Sequence, residues 1–101
     1  MTLKQIVSRL SANLGELEQA FGIKSLALFG SFARNEATEA SDVDLLVDFG
    51  KAPSFRQYTN ALLYLEDLLG CKVDLVTQDS LKPELILSVK RDSKAIKPRI
   101  I

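Results

Sequence analysis

One stretch, Ser41-Asp42-Val43-Asp44-Leu45-Leu46-Val47-Asp48-Phe49, constrains this 101-residue chain more than any other. It is apolar enough to be a half-buried strand, yet it opens on two acids spaced by two. Side chains at i and i+2 of a strand share a face, so a strand over 42–49 sets Asp42 and Asp44 side by side. Two unit charges about 5 Å apart repel by roughly 3 kcal/mol at an effective dielectric near 20. A third aspartate, Asp74, sits in a later strand-like run, Lys72-Val73-Asp74-Leu75-Val76-Thr77. A fold that gathers these acids must raise one carboxylate's pKa, bring in an Arg or Lys, or bind divalent cations.

Three converging Asp side chains offer hard oxygen ligands that suit Mg²⁺ or Mn²⁺. Other site chemistries lack their residues. The chain has no His and one Cys, so a typical zinc site has no ligand set. Ser-His and Cys-His nucleophilic catalysis has no base.

Length and composition set further limits. The chain, 1–101, is expected to form one domain with a modest core, too small to carry a separate substrate-binding domain. Its 47% apolar and 26% charged residues are ordinary globular composition. No apolar stretch nears the roughly 20 residues that span a bilayer, and no signal-peptide pattern is present. Cys71 alone forms no internal disulfide, which is compatible with a reducing compartment. The expectation is a cytoplasmic protein without a membrane partner. Thirteen basic residues balance thirteen acidic ones, so no basic excess exists to hold extended DNA or RNA. The charges are unevenly placed. Glu36, Glu39, Asp42, Asp44 and Asp48 follow one another with no basic residue between Arg34 and Lys51, while Lys82, Lys90, Arg91, Lys94, Lys97 and Arg99 face only Glu84 and Asp92. The basic tail reads as a solvated face or as a partner contact.

Along the chain, Leu3, Ile6, Val7, Leu10, Leu14 and Leu17 form one helical stripe, with Thr2 as N-cap and Gly22 near its stop. The run 25–29 is a short buried strand delivering a tight turn at Gly30. A short helix of about two turns over 31–37 follows, then the strand 42–49 and a loop over 50–54. Phe55, Tyr58, Leu62, Leu65 and Leu69 mark a second amphipathic helix, closed by Gly70. The run 71–77 alternates as a third strand, with Lys72, Asp74 and Val76 on one face. Asp79 or Ser80 is expected to cap a last helix with Pro83 in its first turn. This order predicts an α/β (α+β) fold, a small mixed sheet covered by helices, in which both acidic strands can neighbour the strand ending at Gly30.

Gly30-Ser31 at that strand end has its own chemical logic. Gly lets the backbone approach a phosphate, exposed N–H groups and the helix dipole favour an anion, and the Ser hydroxyl adds a donor. Alone, Gly-Ser is an ordinary turn, and Asp-x-Asp alone is a solvated strand end. Their conjunction, with a ten-residue gap and one further Asp in Val-Asp-Leu-Val, is far more specific.

On those residues, Leu28-Phe-Gly-Ser-Phe-Ala-Arg34 through Ser41-Asp-Val-Asp-Leu-Leu-Val-Asp-Phe49, the chain resembles the polymerase-beta nucleotidyltransferase superfamily. Within it, the chain is similar to the minimal nucleotidyltransferases that serve as antitoxins beside HEPN-domain toxins. The likeness runs from the first helix through Lys72-Val-Asp-Leu-Val-Thr77 and Leu81-Lys-Pro83. Asn35 departs from it, standing where many relatives have Gly, and the tail after Lys90 matches poorly.

The resemblance implies a nucleotidyltransferase fold in which Asp42, Asp44 and Asp74 bind two Mg²⁺ ions, or Mn²⁺, and carry catalysis. It implies that Gly30 and Ser31 hold the triphosphate of ATP and that Arg34 reaches a phosphate oxygen or the acceptor, unless it pairs with a nearby acid. The activity implied is transfer of AMP to a hydroxyl, a Tyr of a cognate HEPN toxin, in a type VII-like toxin–antitoxin pair. Two other functions stay open: an antitoxin that neutralises its partner by occlusion, with Leu63, Tyr64 and the basic tail as interface, and a nucleotidyltransferase acting on a small molecule.

Overall fold

In the computed structural model the described residues are 1–38 and 40–98. Glu39 of the acidic stretch and Arg99 of the basic tail lie outside them.

The first helical stripe folds as two helices, α1 (Leu3–Ala12) and α2 (Leu14–Phe21). Thr2 starts α1 with a capping box, its hydroxyl accepting from the Gln5 N–H and the Gln5 side chain accepting from its own N–H. The break falls at Asn13, whose side-chain amide donates to the Arg9 carbonyl at 2.7 Å. An Asn side chain that competes for backbone groups favours a helix end over a helix interior. Ile6, Leu10 and Leu17 are fully buried, so the apolar stripe continues across the break.

Strand β1 (Ser25–Phe29) feeds directly into α3 (Gly30–Ala33), a single turn shorter than the two expected. It stops because the next residues cannot continue it: Arg34 leaves the helical region, and Asn35 takes a left-handed conformation at φ 59°. Asn tolerates this conformation better than other non-Gly residues, so Asn35 can make a turn that Gly would make at no steric cost.

Strand β2 (Val43–Asp48) returns antiparallel to β1, with Phe29 opposite Asp44. Helix α4 (Phe55–Leu69) crosses over to β3 (Val73–Thr77), which pairs parallel with β2 and sets Asp74 opposite Asp44. Ser54 caps α4 through the Gln57 N–H, and Gly70 ends it at φ 69°. The expected stripe of α4 holds from its second turn onward. Its first member, Phe55, is exposed because it stands at the first helical position, just past the cap.

The sheet order is β3-β2-β1-β4. Only one acidic strand, β2, neighbours β1, so the expectation that β3 could also do so is corrected. The other edge of β1 is taken by β4 (Lys94–Ala95), a strand the sequence reading did not resolve. Helix α5 (Pro83–Asp92) starts with Pro83, but neither Asp79 nor Ser80 caps it. Residues Gln78–Ser80 form a 3-10 turn, the hydroxyls of Thr77 and Ser80 lie 2.7 Å apart, and Lys82 holds the cap position without a side-chain bond.

The buried faces of β1, β2 and β3 pack with α1, α2 and α4 into one apolar cluster that runs from Ile6 to Ile96. In β2 and just after it, Val43, Leu45, Val47 and Phe49 point into that cluster, and Asp44, Leu46 and Asp48 alternate on the other face. Among the described residues no helix is long and apolar enough to cross a membrane.

Asn35 gives a direct test of the α3 turn. Asn35→Ala should lower stability by about 1 kcal/mol, since it keeps a Cβ but loses the tolerance for positive φ. Asn35→Gly should leave stability within about 0.5 kcal/mol of wild type. Thermal or urea unfolding of the two variants checks this.

Candidate active site

Three backbone segments meet at one end of the sheet: the end of β1, the start of β2 and the start of β3. Cross-strand neighbours have Cβ atoms about 5 Å apart, so the register that pairs Asp44 with Asp74 puts their carboxylates on adjacent strands and one face. Asp42 lies just before β2 rather than inside it, yet it keeps the alternation and is exposed on the same side. The sequence expectation of a shared face therefore holds, with the strand itself starting one residue later.

Gly30 closes the other side of Asp44. Its φ of 74° is left-handed, and a Cβ there would stand 2.9 Å from Cγ of Asp44 and closer still to its Oδ2. Two independent constraints, backbone conformation and space, thus require glycine. Ser31 is half-buried in the first turn of α3. With only one turn behind it, α3 offers free N–H groups and little macrodipole.

The electrostatics follow from this crowding. Asp44 has its carboxyl pKa raised, first by loss of solvent, then by Asp74 and then by Asp42, with the Arg34 guanidinium partly opposing them. Arg34 is itself engaged, its Nε 3.4 Å from Glu36 and its Nη1 3.8 Å from Asp92 of α5. Arg34 thus pairs with acids, as one of its two readings expected, and it also lies near enough to Asp44 to favour that carboxylate.

Among the described residues none of the three aspartates has an ion-pair partner. Nor are any three acidic or cysteine side chains there already gathered as a ligand cluster. The donor set fits a hard divalent cation all the same: carboxylates on fixed, adjacent backbones, one of them penalised for its charge. The neighbouring Cys71 is no rival centre, because burial pushes its thiol pKa up, Asp42 and Glu66 add to this, and the N-terminal ammonium and Arg9 oppose it.

A family model described as nucleotidyltransferase domain matches residues 7–97. The chain belongs to that family. It is 46% identical over 92 residues to the protein adenylyltransferase MntA of Thermococcus cleftensis, covering 91% of this chain and 93% of that one. A solved structure assigned as a minimal nucleotidyltransferase superposes at a TM-score of 0.79 with 38% identity, covering 93% of this chain and 95% of that one. A more distant structure, at 18% identity, is a complex of the tri-AMPylated HEPN toxin of Shewanella oneidensis with its MNT antitoxin. It shares the fold at a TM-score of 0.65, covering 97% of this chain and 74% of the matched one.

In this nucleotidyltransferase the predicted residues Gly30, Asp42, Asp44 and Asp74 come together, Ser31 adjoins them, and Arg34 stands at the rim. Two residues that sequence reasoning did not connect with the site touch the strand bearing Asp74. The Tyr58 hydroxyl donates to the Leu75 carbonyl, and the Glu66 carboxylate accepts from the Val73 N–H. Tyr58 was legible only as a member of the apolar stripe of α4, and Glu66 carried no signal.

Asp44→Asn removes a charge that the fold disfavours. A carboxyl with a raised folded-state pKa binds more protons folded than unfolded, so its destabilising effect is absent below the ordinary carboxylate range and grows as pH rises through the raised value. Asp44→Asn should therefore raise Tm at pH 7 by about 2–4 °C, allowing for solvent screening. The gain should vanish near pH 3, as a Tm series over pH 3–7 would show. Gly30→Ala should have the opposite sign, costing about 1–2 kcal/mol from the backbone alone.

Proposed function

We propose that this chain, as one folded domain, transfers AMP from ATP to a tyrosine hydroxyl of a HEPN-domain toxin and thereby acts as its antitoxin. The observation that carries the reading is the register of Asp44 against Asp74, with Gly30 pressed on Asp44, in a chain 46% identical to a protein adenylyltransferase.

In this proposal Asp42, Asp44 and Asp74 hold two Mg²⁺ ions. Such ions, when bound, would supply positive charge for the triphosphate, the attacking oxygen and the leaving pyrophosphate. The chain's own residues position the reactants. Gly30 lets the backbone reach a phosphate, and the N–H groups and hydroxyl around Ser31 donate to it. Asp74 helps take the proton from the acceptor hydroxyl, and Arg34 moves between its surface acids and a phosphate oxygen. The raised pKa of Asp44 makes cation binding pH-dependent, because a ligand carboxylate must first give up its proton.

A protein acceptor is favoured over a small one by exposure. Asp42 and Asp74 are exposed and Asp44 is only half-buried, whereas a compact substrate is normally walled in over most of its surface. A cavity of about 570 Å³ lies at the far end of β1, lined by Leu14, Ile23, Ser25 and Ile96, away from the aspartates. The second reading, occlusion without catalysis, draws on the exposed apolar side chains Leu63, Leu85 and Leu87. Tyr64 is a poorer interface candidate, since its ring packs on Phe21 at 4.8 Å.

Co-expression of the chain with a cognate HEPN toxin, followed by intact mass spectrometry of the toxin, tests the proposal. The wild-type chain should add one or more AMP masses, and Asp42→Asn/Asp44→Asn should add none and lose protection. A toxin that is unmodified yet silenced by both forms would replace catalysis with occlusion.

A further inference from the structure

Strand β3 is an edge strand of the sheet, and it carries Asp74. An edge strand has backbone pairs on one side only, so its outward N–H and C=O groups need other partners. The Lys72 carbonyl accepts from the Val43 N–H on the β2 side. By alternation Asp74 also bonds toward β2, while Val73 and Leu75 turn their backbone groups outward.

Both outward neighbours of Asp74 are met by side chains of α4. Glu66 Oε2 accepts from the Val73 N–H at 3.1 Å, and the Tyr58 hydroxyl donates to the Leu75 carbonyl. The two bonds bracket Asp74 on the chain, one residue before it and one after. Both α4 side chains are half-buried, and Tyr58 packs its ring against the core. The Tyr58 hydroxyl is close enough to Asp74 that, after burial, that charge is the second cause of its raised pKa.

We infer that Tyr58 and Glu66 are positioning residues: together they clamp the edge strand on either side of Asp74 and set the place of its carboxylate relative to Asp44. This rests on the reading of Asp74 as a cation-binding residue. On the β2 side the main chain already fixes Asp74. On the open side these two bonds are the ones described to the backbone of Val73 and Leu75, and they add to the core burial of both side chains in limiting how far this end of β3 swings from β2. A misplacement of about 1 Å is enough to cost a site on the order of 100-fold.

The test is calorimetric titration of Mn²⁺ into the purified full chain, with Tm measured in parallel. Tyr58→Phe keeps the ring and removes the donor, Glu66→Ala removes the acceptor, and Glu66→Gln keeps a side-chain oxygen for the Val73 N–H. Tyr58→Phe and Glu66→Ala should each weaken Mn²⁺ binding by about 10-fold, as loss of an outer-shell partner does, while Glu66→Gln stays near wild type. Wild-type Mn²⁺ affinity in both Tyr58→Phe and Glu66→Ala, whatever their Tm, would overturn the clamp. Asp74→Asn separates the two levels of inference. If it binds Mn²⁺ as wild type does, the reading of Asp74 fails. If it loses Mn²⁺ while Tyr58→Phe and Glu66→Ala keep it, that reading stands and the clamp alone is wrong. Should Tyr58→Phe fail to fold, the Glu66→Ala and Glu66→Gln pair decides.

Discussion

The repulsion between Asp44 and Asp74 is the constraint to which the rest of the molecule answers. Asp74 comes second, after loss of solvent, among the causes that disfavour the charge on Asp44, so electrostatics alone would draw the two strands apart. They stay together because the same strands bury Val43, Leu45, Val47, Val73 and Leu75 on the opposite face. Each such side chain contributes about 1.5–3 kcal/mol when buried, so the apolar face outweighs the charged one. Alternation is what lets one strand do both. A one-residue slip of β2 against β3 would expose the apolar set and bury the acids, so the core fixes the register and the register fixes the site.

The acids are also kept from finding ordinary partners. The nearest guanidinium, Arg34, is shared between Glu36 and Asp92, and through Asp92 it ties the end of α3 to the last turn of α5. At an exposed position such pairs are worth little to stability. Their effect is on where the positive charge rests: at the rim, where it moderates Asp44 without neutralising it. A lysine or arginine locked onto Asp44 would relieve the repulsion and leave less for a cation to do.

Much of this was legible in the sequence because it depends on local periodicity. The alternation in 42–49 and 71–77 gave both acidic faces, and the Thr2, Gly22 and Gly70 ends were readable from cap chemistry. The family likeness pointed to Gly30, Asp42, Asp44 and Asp74, and the strand register sets Asp74 opposite Asp44 with Gly30 pressed on it. What was not legible depends on tertiary pairing. Nothing in Lys94-Ala95 marks a strand; two residues become one only because β1 has a free edge and Ile96 has a place in the core. The split at Asn13 turns on a single side-chain bond that outcompetes an unbroken apolar stripe. The exposure of Phe55 has the same origin, since periodicity assigns a face but not how far along its axis a helix meets the sheet. Glu66 and Tyr58 were invisible as site residues because they act on backbone groups, and a sequence records no address for a backbone bond.

An edge strand is a costly place for a site residue, and the topology shows why it arises. The α4 crossover makes β3 parallel to β2 and places it at one edge of the sheet, with no further strand beside it among the described residues. This leaves Asp74 exposed to solvent. The same openness removes the backbone partners that normally hold a strand true. Helix α4 resolves the conflict by standing beside the edge instead of sealing it: its side chains take up the Val73 N–H and the Leu75 carbonyl but not the carboxylate between them. Access and rigidity are thereby assigned to different atoms of one segment, the side chain of Asp74 and the main chain on either side of it.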